Sequence, residues 1–349
     1  MKKINIAEPY FSPEDKERIN NEVDVILNTK LSMGPNVSKF EQEFRDKIGT
    51  KYAVAMNSCT SALEAALTFY NIQNKEVIIP AQTFIATGMA VHLSGGIPVY
   101  AEINENDLSL DLKDIKNKIT NKTAGVIIVH MAGYISSDIF ELKKYCVENN
   151  LFLIEDAAHT PGAEINNCKA GNIGDIGCFS FYPTKIITAG EGGMLTTNDK
   201  KISDYARSYQ NRGRDMNLNE ESFVIPSRNV RMTEFSALLG RVQLSHLDEF
   251  LKKRRLIAKT YKKYLDKSDC LQLILPEKLE QTACWKVPLI LNSTFKRKEI
   301  LNKLHIKGIY ADTAYNPPLH LQPVMTQLYN NKENLLPRSE ALLKKHICL

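Results

Sequence analysis

Short apolar runs alternate with amphipathic stretches between about residue 50 and residue 200. Several runs are apolar at nearly every position, which is typical of strands that are covered on both faces. The stretches between them, 61–73, 84–95 and 136–150, have helical spacing. This βαβ alternation predicts a wound, mostly parallel α/β sheet, mixed at its end because the last two strands have no helix between them. The predicted strands are YAVAMNS (52–58), EVIIPAQ (76–82), IPVYAEI (97–103), AGVIIVHM (124–131), LFLIEDAA (151–158), IGCFSFYP (176–183) and GGMLTTND (192–199).

A long amphipathic stretch, 232–265, follows the predicted sheet and indicates one connecting helix or a pair of helices. We expect a large domain over residues 1–250 and a small C-terminal α+β domain over 251–349, and the N-terminal segment could pack on the small domain. The segments that predict the small domain are 270–278, 283–291 and 293–309.

Composition narrows the class of protein more than it identifies the function. The chain has 349 residues, of which 43% are hydrophobic and 24% charged, as in ordinary globular proteins. The formal net charge of +5 is mild and dispersed over predicted helix surfaces, which argues against a nucleic-acid partner. No window has the apolar length needed to span a bilayer, and no signal peptide is evident. The seven cysteines are scattered and never form a C-x-x-C pair, which favours a reducing cytoplasm and no structural metal.

Polar residues follow the first predicted strand in the segment AMNSCTSALEAAL. Ligands of open α/β sheets bind outside the carboxyl ends of the strands. Backbone N–H groups and hydroxyls at a helix N-terminus, here around Cys59 and Thr60, can bind an anion such as phosphate. Taken alone, this segment is more simply explained as an ordinary Ser/Thr helix cap.

Two further strand ends have unusual chemistry. LFLIEDAAHTPGA carries Glu155 and Asp156 straight out of an apolar strand, where a buried carboxylate needs a partner, either a bound cation or a salt bridge. CFSFYPTKIITAGEGG places Ser180 and Lys185 between an aromatic strand and a glycine-rich turn. It is not a Walker loop, since no G-K-[ST] follows the glycines. Taken alone, Lys185 would be a surface lysine.

The three strand ends together match what pyridoxal 5′-phosphate requires. This cofactor needs a lysine with which to form an imine, an acid against its pyridine nitrogen, and donors for its phosphate. The joint order of these parts along one predicted sheet indicates such a site.

These residues also resemble a family, the fold-type I sugar aminotransferases of the DegT/DnrJ/EryC1/StrS group. The resemblance covers most of the chain, from SMGPNVSKFEQEF through VIIPAQTFIAT and GDIGCFSFYPTKIITAGEGG to RNVRMTEFSALLGRVQLSH and YNPPLH. The E-D-A-A and F-S-F-x-x-x-K-x-x-x-x-G-E-G-G elements are its most specific parts. It implies a PLP-dependent transferase fold of type I.

The resemblance assigns roles to individual side chains. Lys185 would hold the cofactor as an internal aldimine and then act as the acid and base of proton transfer. Asp156 would pair with the pyridinium nitrogen, and His159 would lie near the phenolic oxygen of the ring. A structural role for His159 is the alternative.

Other residues would hold the rest of the cofactor. By the same resemblance, Thr60, the N–H of Cys59 and the hydroxyl of Ser180 would bind the phosphate, and Phe84 would stack on the ring or belong to the core. Asn229, in RNVRM, would reach the phosphate of a second subunit, which implies a homodimer with shared active sites.

Some positions are assigned more loosely or depart from the family. Cys59 stands where relatives usually have glycine. The chain ends at EALLKKHICL, where relatives commonly continue, so we expect a small domain that could be truncated. The sugar diphosphate could meet Arg231, Lys30 or Arg228. His320 is interpreted as a loop histidine that could contact substrate, and His130 as core.

The predicted function is transamination of a nucleotide-linked keto-sugar, with L-glutamate converted to 2-oxoglutarate. The alternatives are a PLP-dependent sugar dehydratase or deoxygenase, a generic amino-acid aminotransferase, and a non-catalytic regulator that binds the cofactor or a sugar nucleotide. Deoxygenating relatives commonly have histidine at the lysine position, so Lys185 favours transamination.

Overall fold

The strands of the protein follow the predicted apolar runs closely. The computed structural model describes residues 3–5, 7–215, 221–292 and 296–349. All seven predicted strands are present as β1 to β5, β8 and β9. The strands are β1 (Tyr52–Met56), β2 (Glu76–Pro80), β3 (Ile97–Ala101), β4 (Thr123–Val129), β5 (Phe152–Asp156), β6 (Glu164–Ile165), β7 (Cys168–Lys169), β8 (Ile176–Ser180), β9 (Gly193–Thr197), β10 (Leu271–Leu273), β11 (Pro288–Leu291) and β12 (His346–Cys348).

The main sheet has seven strands in the order β1-β9-β8-β5-β4-β2-β3. Neighbouring strands from β8 to β3 are parallel, whereas β9 runs antiparallel to both β8 and β1. The predicted parallel sheet with one mixed end is therefore confirmed. Because only β9 is reversed, its first residue lies at the same edge as the last residues of the other six strands.

Helices cover both the sheet and its edges. The predicted amphipathic stretch 232–265 is a pair, α8 and α9, which meet at His246. Residues 293–295, with which the predicted segment 293–309 begins, lie outside the described residues. The helices are α1 (Pro13–Leu27), α2 (Pro35–Ile48), α3 (Cys59–Phe69), α4 (Ile85–Leu93), α5 (Leu112–Lys118), α6 (Ile139–Glu148), α7 (Lys200–Gln210), α8 (Glu234–Ser245), α9 (Leu247–Leu265), α10 (Arg297–Ile306), α11 (Pro323–Tyr329) and α12 (Pro337–Lys345).

Helix α2 packs on the sheet through an aromatic cluster. Phe40 and Phe44, one helical turn apart, meet Phe179 of β8 and Phe181 just beyond it, and all four side chains are fully buried. The ring centroids of Phe44 and Phe179 are 4.8 Å apart and the ring planes are nearly perpendicular, which is the favoured edge-to-face geometry. This packing fixes the strand that leads to the loop of Lys185.

A buried carboxylate from α8 caps the N-terminus of α2. Glu234 accepts hydrogen bonds from the backbone N–H groups of Gly34, Asn36 and Val37 at 2.7–3.0 Å. A negative charge at a helix N-terminus satisfies N–H groups that have no partner within the helix and complements the helix dipole. The two helices are thereby joined across 200 residues of sequence.

A second, antiparallel sheet of β10, β11 and β12 lies beyond α9. The N-terminal segment reaches this part of the chain, because the N–H of Ile4 donates to Gly308 and the N–H of Tyr310 donates to Ile4. The C-terminal residues also contact the main sheet, where the N–H of Ile103 donates to Ser339 at 2.9 Å. The domain boundary near residue 250 stays a prediction.

Among the described residues, the structure contains no helix long and apolar enough to cross a bilayer.

We expect Phe44→Ala to lower the free energy of unfolding by about 3–5 kcal/mol, because it leaves a cavity at the centre of the aromatic cluster. Urea denaturation of the cofactor-free protein would measure it. Tyr264→Ala on α9, where the side chain is 71% exposed, is the matched control and should change the free energy by less than about 0.5 kcal/mol. Equal losses in both variants would contradict this account of the core.

Candidate active site

A cavity of about 830 Å³ opens at the edge of the main sheet where its parallel strands end. The antiparallel β9 begins at this same edge. Residues from six strand ends therefore share one cavity although up to 134 positions separate them in sequence, counted from Ser58 to Gly192. The wall includes Ser58 after β1, Thr83 after β2, Val129 at the end of β4, Asp156 at the end of β5, Ser180 at the end of β8 and Gly192 before β9.

The N-terminus of α3 forms one wall of the cavity. Ser58 caps the helix, its hydroxyl accepting from the N–H of Ser61 at 3.1 Å. Cys59 and Thr60 line the cavity, and N–H groups of a first helical turn have no acceptor within the helix. Gly193 lets β9 approach closely, since a Cβ there would overlap the backbone of Ser58. Both the capping and the anion-binding interpretation of this segment fit the geometry.

Cys59 is buried enough that its thiol stays protonated. Burial raises the pKa of the Cys59 thiol well above its usual value, and the charge of Asp156 adds to the effect. Cys59 therefore lines the cavity as an uncharged residue.

The two carboxylates at the end of β5 have different environments. Glu155 is fully buried and accepts from the N–H groups of Gly171, Ile173 and Gly174, and its Oε2 lies 2.9 Å from His130 Nε2. Burial opposes ionisation, but these hydrogen bonds and the charge of His130 hold the pKa of Glu155 below its usual value. His130 is itself buried, as expected of a core residue.

Asp156 faces the cavity with fewer donors. It accepts from the Thr87 hydroxyl at 2.9 Å and from the N–H of Ala158 at 3.2 Å. Burial raises the pKa of Asp156, although both hydrogen bonds and the charge of Lys185 oppose the shift. A cation placed against this carboxylate would favour its ionised form.

Lys185 lies in the loop after β8, half-buried, and its side chain lines the cavity. Burial lowers the pKa of its ε-amine to about 8, helped by the charge of Lys286 and opposed by Asp156 and Cys59. Its Nζ lies 4.6 Å from the centroid of the Trp285 ring. Near neutral pH a useful fraction of this amine is therefore uncharged and nucleophilic.

His159 is held between aromatic rings. It stacks on Trp285 with centroids 3.8 Å apart and planes within 7°, and its Nε2 lies 3.1 Å from the Tyr315 hydroxyl. Burial, with the charges of Lys185 and Lys286, holds the pKa of His159 well below its usual value, so the ring is neutral. Its Nε2 is therefore paired with Tyr315, whereas its Nδ1 is enclosed and has no hydrogen-bond partner in the described part of the chain.

Ser180 and Phe84 complete the predicted set within the cavity. Ser180 is half-buried at the end of β8. Phe84 is the N-cap residue of α4, and its side chain is 54% exposed, with its ring centroid 5.5 Å from that of Tyr315. Phe84 is thus a cavity residue rather than a core residue, and its stacking role stays a prediction.

Asn229 is not part of this cavity. It is exposed in a short bridge with Asn211, away from the residues that line the site. Its role in a second subunit stays a prediction.

The three basic residues expected to meet a diphosphate also lie outside the cavity lining. Arg228 pairs with Glu64 at 3.2 Å, Arg231 hydrogen-bonds to Asn211, and Lys30 is exposed at the surface. His320 is fully buried, with its Nε2 3.0 Å from Glu340 Oε1, so in this chain it is a partnered structural histidine.

The structure adds five residues that the sequence did not single out. Thr87 holds Asp156 and lies within the segment QTFIAT, whose helical spacing could have pointed to it. The others come from the C-terminal third of the chain, where Tyr315 is the first residue of YNPPLH and no motif marks the other three. They are Trp285, Lys286, Asp312, which pairs with Lys286, and Tyr315.

The donor set fits pyridoxal phosphate. The cavity combines a helix N-terminus for a phosphate, a buried carboxylate of raised pKa for a ring cation, and a lysine of lowered pKa for an aldehyde. Among the described residues, no cluster of metal-binding side chains is present.

We expect the ε-amine of Lys185 to react with an amine-selective reagent with a pH midpoint near 8, because only the neutral amine reacts. Peptide mass spectrometry of the cofactor-free protein would follow it. Lys200, whose pKa is raised by Asp204, is the control and should react only at much higher pH. Asp156→Asn should move the Lys185 midpoint lower still, and a Lys185 midpoint equal to that of Lys200 would refute the assigned environment.

Comparisons with known proteins identify the family of this chain. A family model, the DegT/DnrJ/EryC1/StrS aminotransferase family, matches residues 13–349. GDP-perosamine synthase of Escherichia coli O157:H7 is 32% identical over 94% of this chain and 89% of its own length.

Solved structures show the same architecture. Helicobacter pylori PseC, an aminotransferase involved in the biosynthesis of pseudoaminic acid, superposes with a TM-score of 0.90 at 28% identity, covering 100% of this chain and 93% of that one. The E. coli GDP-4-keto-6-deoxy-D-mannose-3-dehydratase with bound hydrated PLP has a TM-score of 0.91 at 24% identity, covering 100% and 95%, which shows a shared fold.

The predicted fold type, enzyme class and cofactor are therefore confirmed. The fold is that of type I PLP-dependent enzymes, and pyridoxal phosphate is the cofactor that the family indicates. On its sequence, fold and site, the chain belongs to the DegT/DnrJ/EryC1/StrS aminotransferase family.

Proposed function

We propose that this protein transfers an amino group from L-glutamate to a nucleotide-linked keto-sugar. The observation that carries the proposal is the convergence of Lys185, Asp156 and the N-terminus of α3 on one cavity. The names of relatives such as GDP-perosamine synthase support a sugar nucleotide as the acceptor. Glutamate as donor rests on the resemblance to the family.

Each residue has one task in this proposal. Bound pyridoxal phosphate supplies an electron-accepting ring that carries the amino group between the two substrates. Asp156 would keep the pyridine nitrogen protonated, since a carboxylate beside a cation is stabilised in its charged form. The N–H groups of Cys59 and Thr60, with the Ser180 hydroxyl, would hold the phosphate, and Phe84 would cover the ring.

Lys185 would bind the cofactor and move the proton at the reacting carbon. A general acid and base works best when its pKa lies near the operating pH, and the pKa of Lys185 is lowered to about 8. His159, neutral and fixed by stacking, would lie near the phenolic oxygen of the cofactor ring. Holding these groups in one geometry makes the proton transfer intramolecular.

We expect the purified protein to form 2-oxoglutarate from L-glutamate with at least one keto-sugar linked to dTDP, UDP or GDP. Coupled detection of 2-oxoglutarate and mass spectrometry of the sugar nucleotide would measure the reaction. Lys185→Ala should abolish turnover, together with the absorption of covalently bound cofactor, because it removes the amine that would form the imine. Lys201→Ala, an exposed lysine on α7, is the matched control.

The outcomes separate the alternatives. A dehydratase would release a deoxygenated sugar, a generic aminotransferase would exchange two amino acids without any sugar, and a regulator would bind ligand with no product. If Lys185→Ala left the cofactor spectrum unchanged, Lys185 would not be the residue that binds the cofactor, and the proposed catalytic role of Lys185 would be refuted.

We further propose a homodimer in which Asn229 reaches the phosphate of its partner's site. Its exposure and its position outside the cavity of its own chain support this role.

The described cysteines are free, which supports a cytoplasmic location that cell fractionation would test.

A mixture of two defective variants tests the shared site. Lys185→Ala and Asn229→Leu should each be impaired alone, but mixed dimers would hold one site with both native residues. With random mixing half of the dimers are mixed and each has one complete site, so about a quarter of wild-type activity should return. No recovery after mixing, or full activity of a monomer, would refute the partner role.

A further inference from the structure

Trp285 connects the C-terminal part of the chain to the loop of the reactive lysine. It is the single tryptophan of the sequence, is 7% exposed, and lies just before β11 in the cavity wall. Its indole Nε1–H donates to the carbonyl of Thr184 at 2.7 Å. The hydrogen bond therefore fixes the peptide that immediately precedes Lys185.

The same indole ring contacts both groups that the proposed reaction needs beside the cofactor. The Nζ of Lys185 lies 4.6 Å from the ring centroid, within the range of a cation–π interaction. The imidazole of His159 is stacked on the ring at 3.8 Å. The rigid indole therefore sets the distance between the amine of Lys185, in the loop after β8, and the imidazole of His159, in the loop after β5.

The backbone around Trp285 is anchored to the main sheet. The N–H of Ala283 donates to Gly133 at 2.8 Å, and the N–H of Lys286 donates to Ala132 at 3.1 Å, both just beyond β4. Gly133 has a φ of +103°, and a Cβ there would lie 2.8 Å from the backbone nitrogen of Trp285. This close approach leaves the indole little freedom to shift.

We infer that Trp285 is a positioning residue, which holds the Lys185 ε-amine and the His159 imidazole in their working geometry. The inference rests on the proposed function. A lysine side chain has four rotatable bonds, so without a partner its amine samples many positions, and small misplacements slow reactions strongly. Trp285 acts through its ring, by contact with the amine and imidazole, and through its N–H, by fixing residue 184.

The test follows covalent attachment of pyridoxal phosphate to the cofactor-free protein, without any substrate turnover. In this condensation the Lys185 nitrogen bonds to the aldehyde carbon and one water leaves. Stopped-flow absorbance would give the rate, and titration the final stoichiometry. Trp285→Leu removes the ring and the donor, whereas Trp285→Phe keeps a ring and removes the donor. Tyr264→Leu, an exposed aromatic on α9, is the matched control.

We expect attachment to slow about tenfold in Trp285→Leu and about threefold in Trp285→Phe, because the amine is held less firmly. Both variants lose the hydrogen bond to Thr184, and Trp285→Leu also loses the ring face beside the Lys185 amine. Final stoichiometry should stay complete in both variants, and Tyr264→Leu should match the wild type. A rate for Trp285→Phe between those of the wild type and Trp285→Leu would indicate positioning. General destabilisation would instead lower the amount of cofactor bound, because a smaller fraction of the protein would be folded.

The single tryptophan provides a second readout. Attachment of the cofactor should quench the protein's tryptophan fluorescence at the same rate as the absorbance change, because the indole lies against Lys185. An unquenched signal, or wild-type attachment rates in both tryptophan variants, would overturn the inference. If Trp285→Leu does not fold, a wild-type attachment rate in Trp285→Phe is by itself enough to overturn the inference. Failure of the wild type to attach the cofactor would instead refute the proposed function.

Discussion

The two adjacent carboxylates at the end of β5 are the constraint on which the site depends. Successive residues of a strand point to opposite faces, so Glu155 and Asp156 meet different surroundings. Three backbone N–H groups and His130 satisfy Glu155, which fixes the loop that leads into β8. Asp156 has two donors and a raised pKa, so it is the carboxylate left for a cationic ligand.

The opposite wall of the cavity comes from the C-terminal part of the chain. Trp285 and Tyr315 hold His159 between them, and Tyr315 also meets Phe84. These rings join residues of the two predicted domains into one row along the cavity. The Trp285 ring of this row covers part of the Lys185 amine, and burial is the largest cause of the lowered pKa of Lys185. The reactive centre therefore depends on contacts that neither part of the chain could make alone.

The groups proposed to bind the cofactor come from the ends of strands, which the sheet holds in place. Side chains from the C-terminal part of the chain line the same cavity. Arg228 and Arg231, two of the basic residues predicted to meet the diphosphate, instead contact other side chains of this chain. Arg228 pairs with Glu64, and Arg231 donates a hydrogen bond to Asn211. A diphosphate would have to meet other groups or a second subunit.

The sequence by itself determined the strands of the sheet and predicted that Cys59, Asp156 and Ser180 meet in one cavity, as they do. These residues lie in or just after apolar runs that mark parallel strands, whose carboxyl ends must meet at one edge. It could not determine that α8 and α9 are two helices, that His320 is paired with Glu340, or that Trp285 lies against Lys185. Those facts depend on contacts between residues far apart in the chain. Local periodicity encodes which elements form, whereas only their packing in three dimensions decides which distant side chains meet.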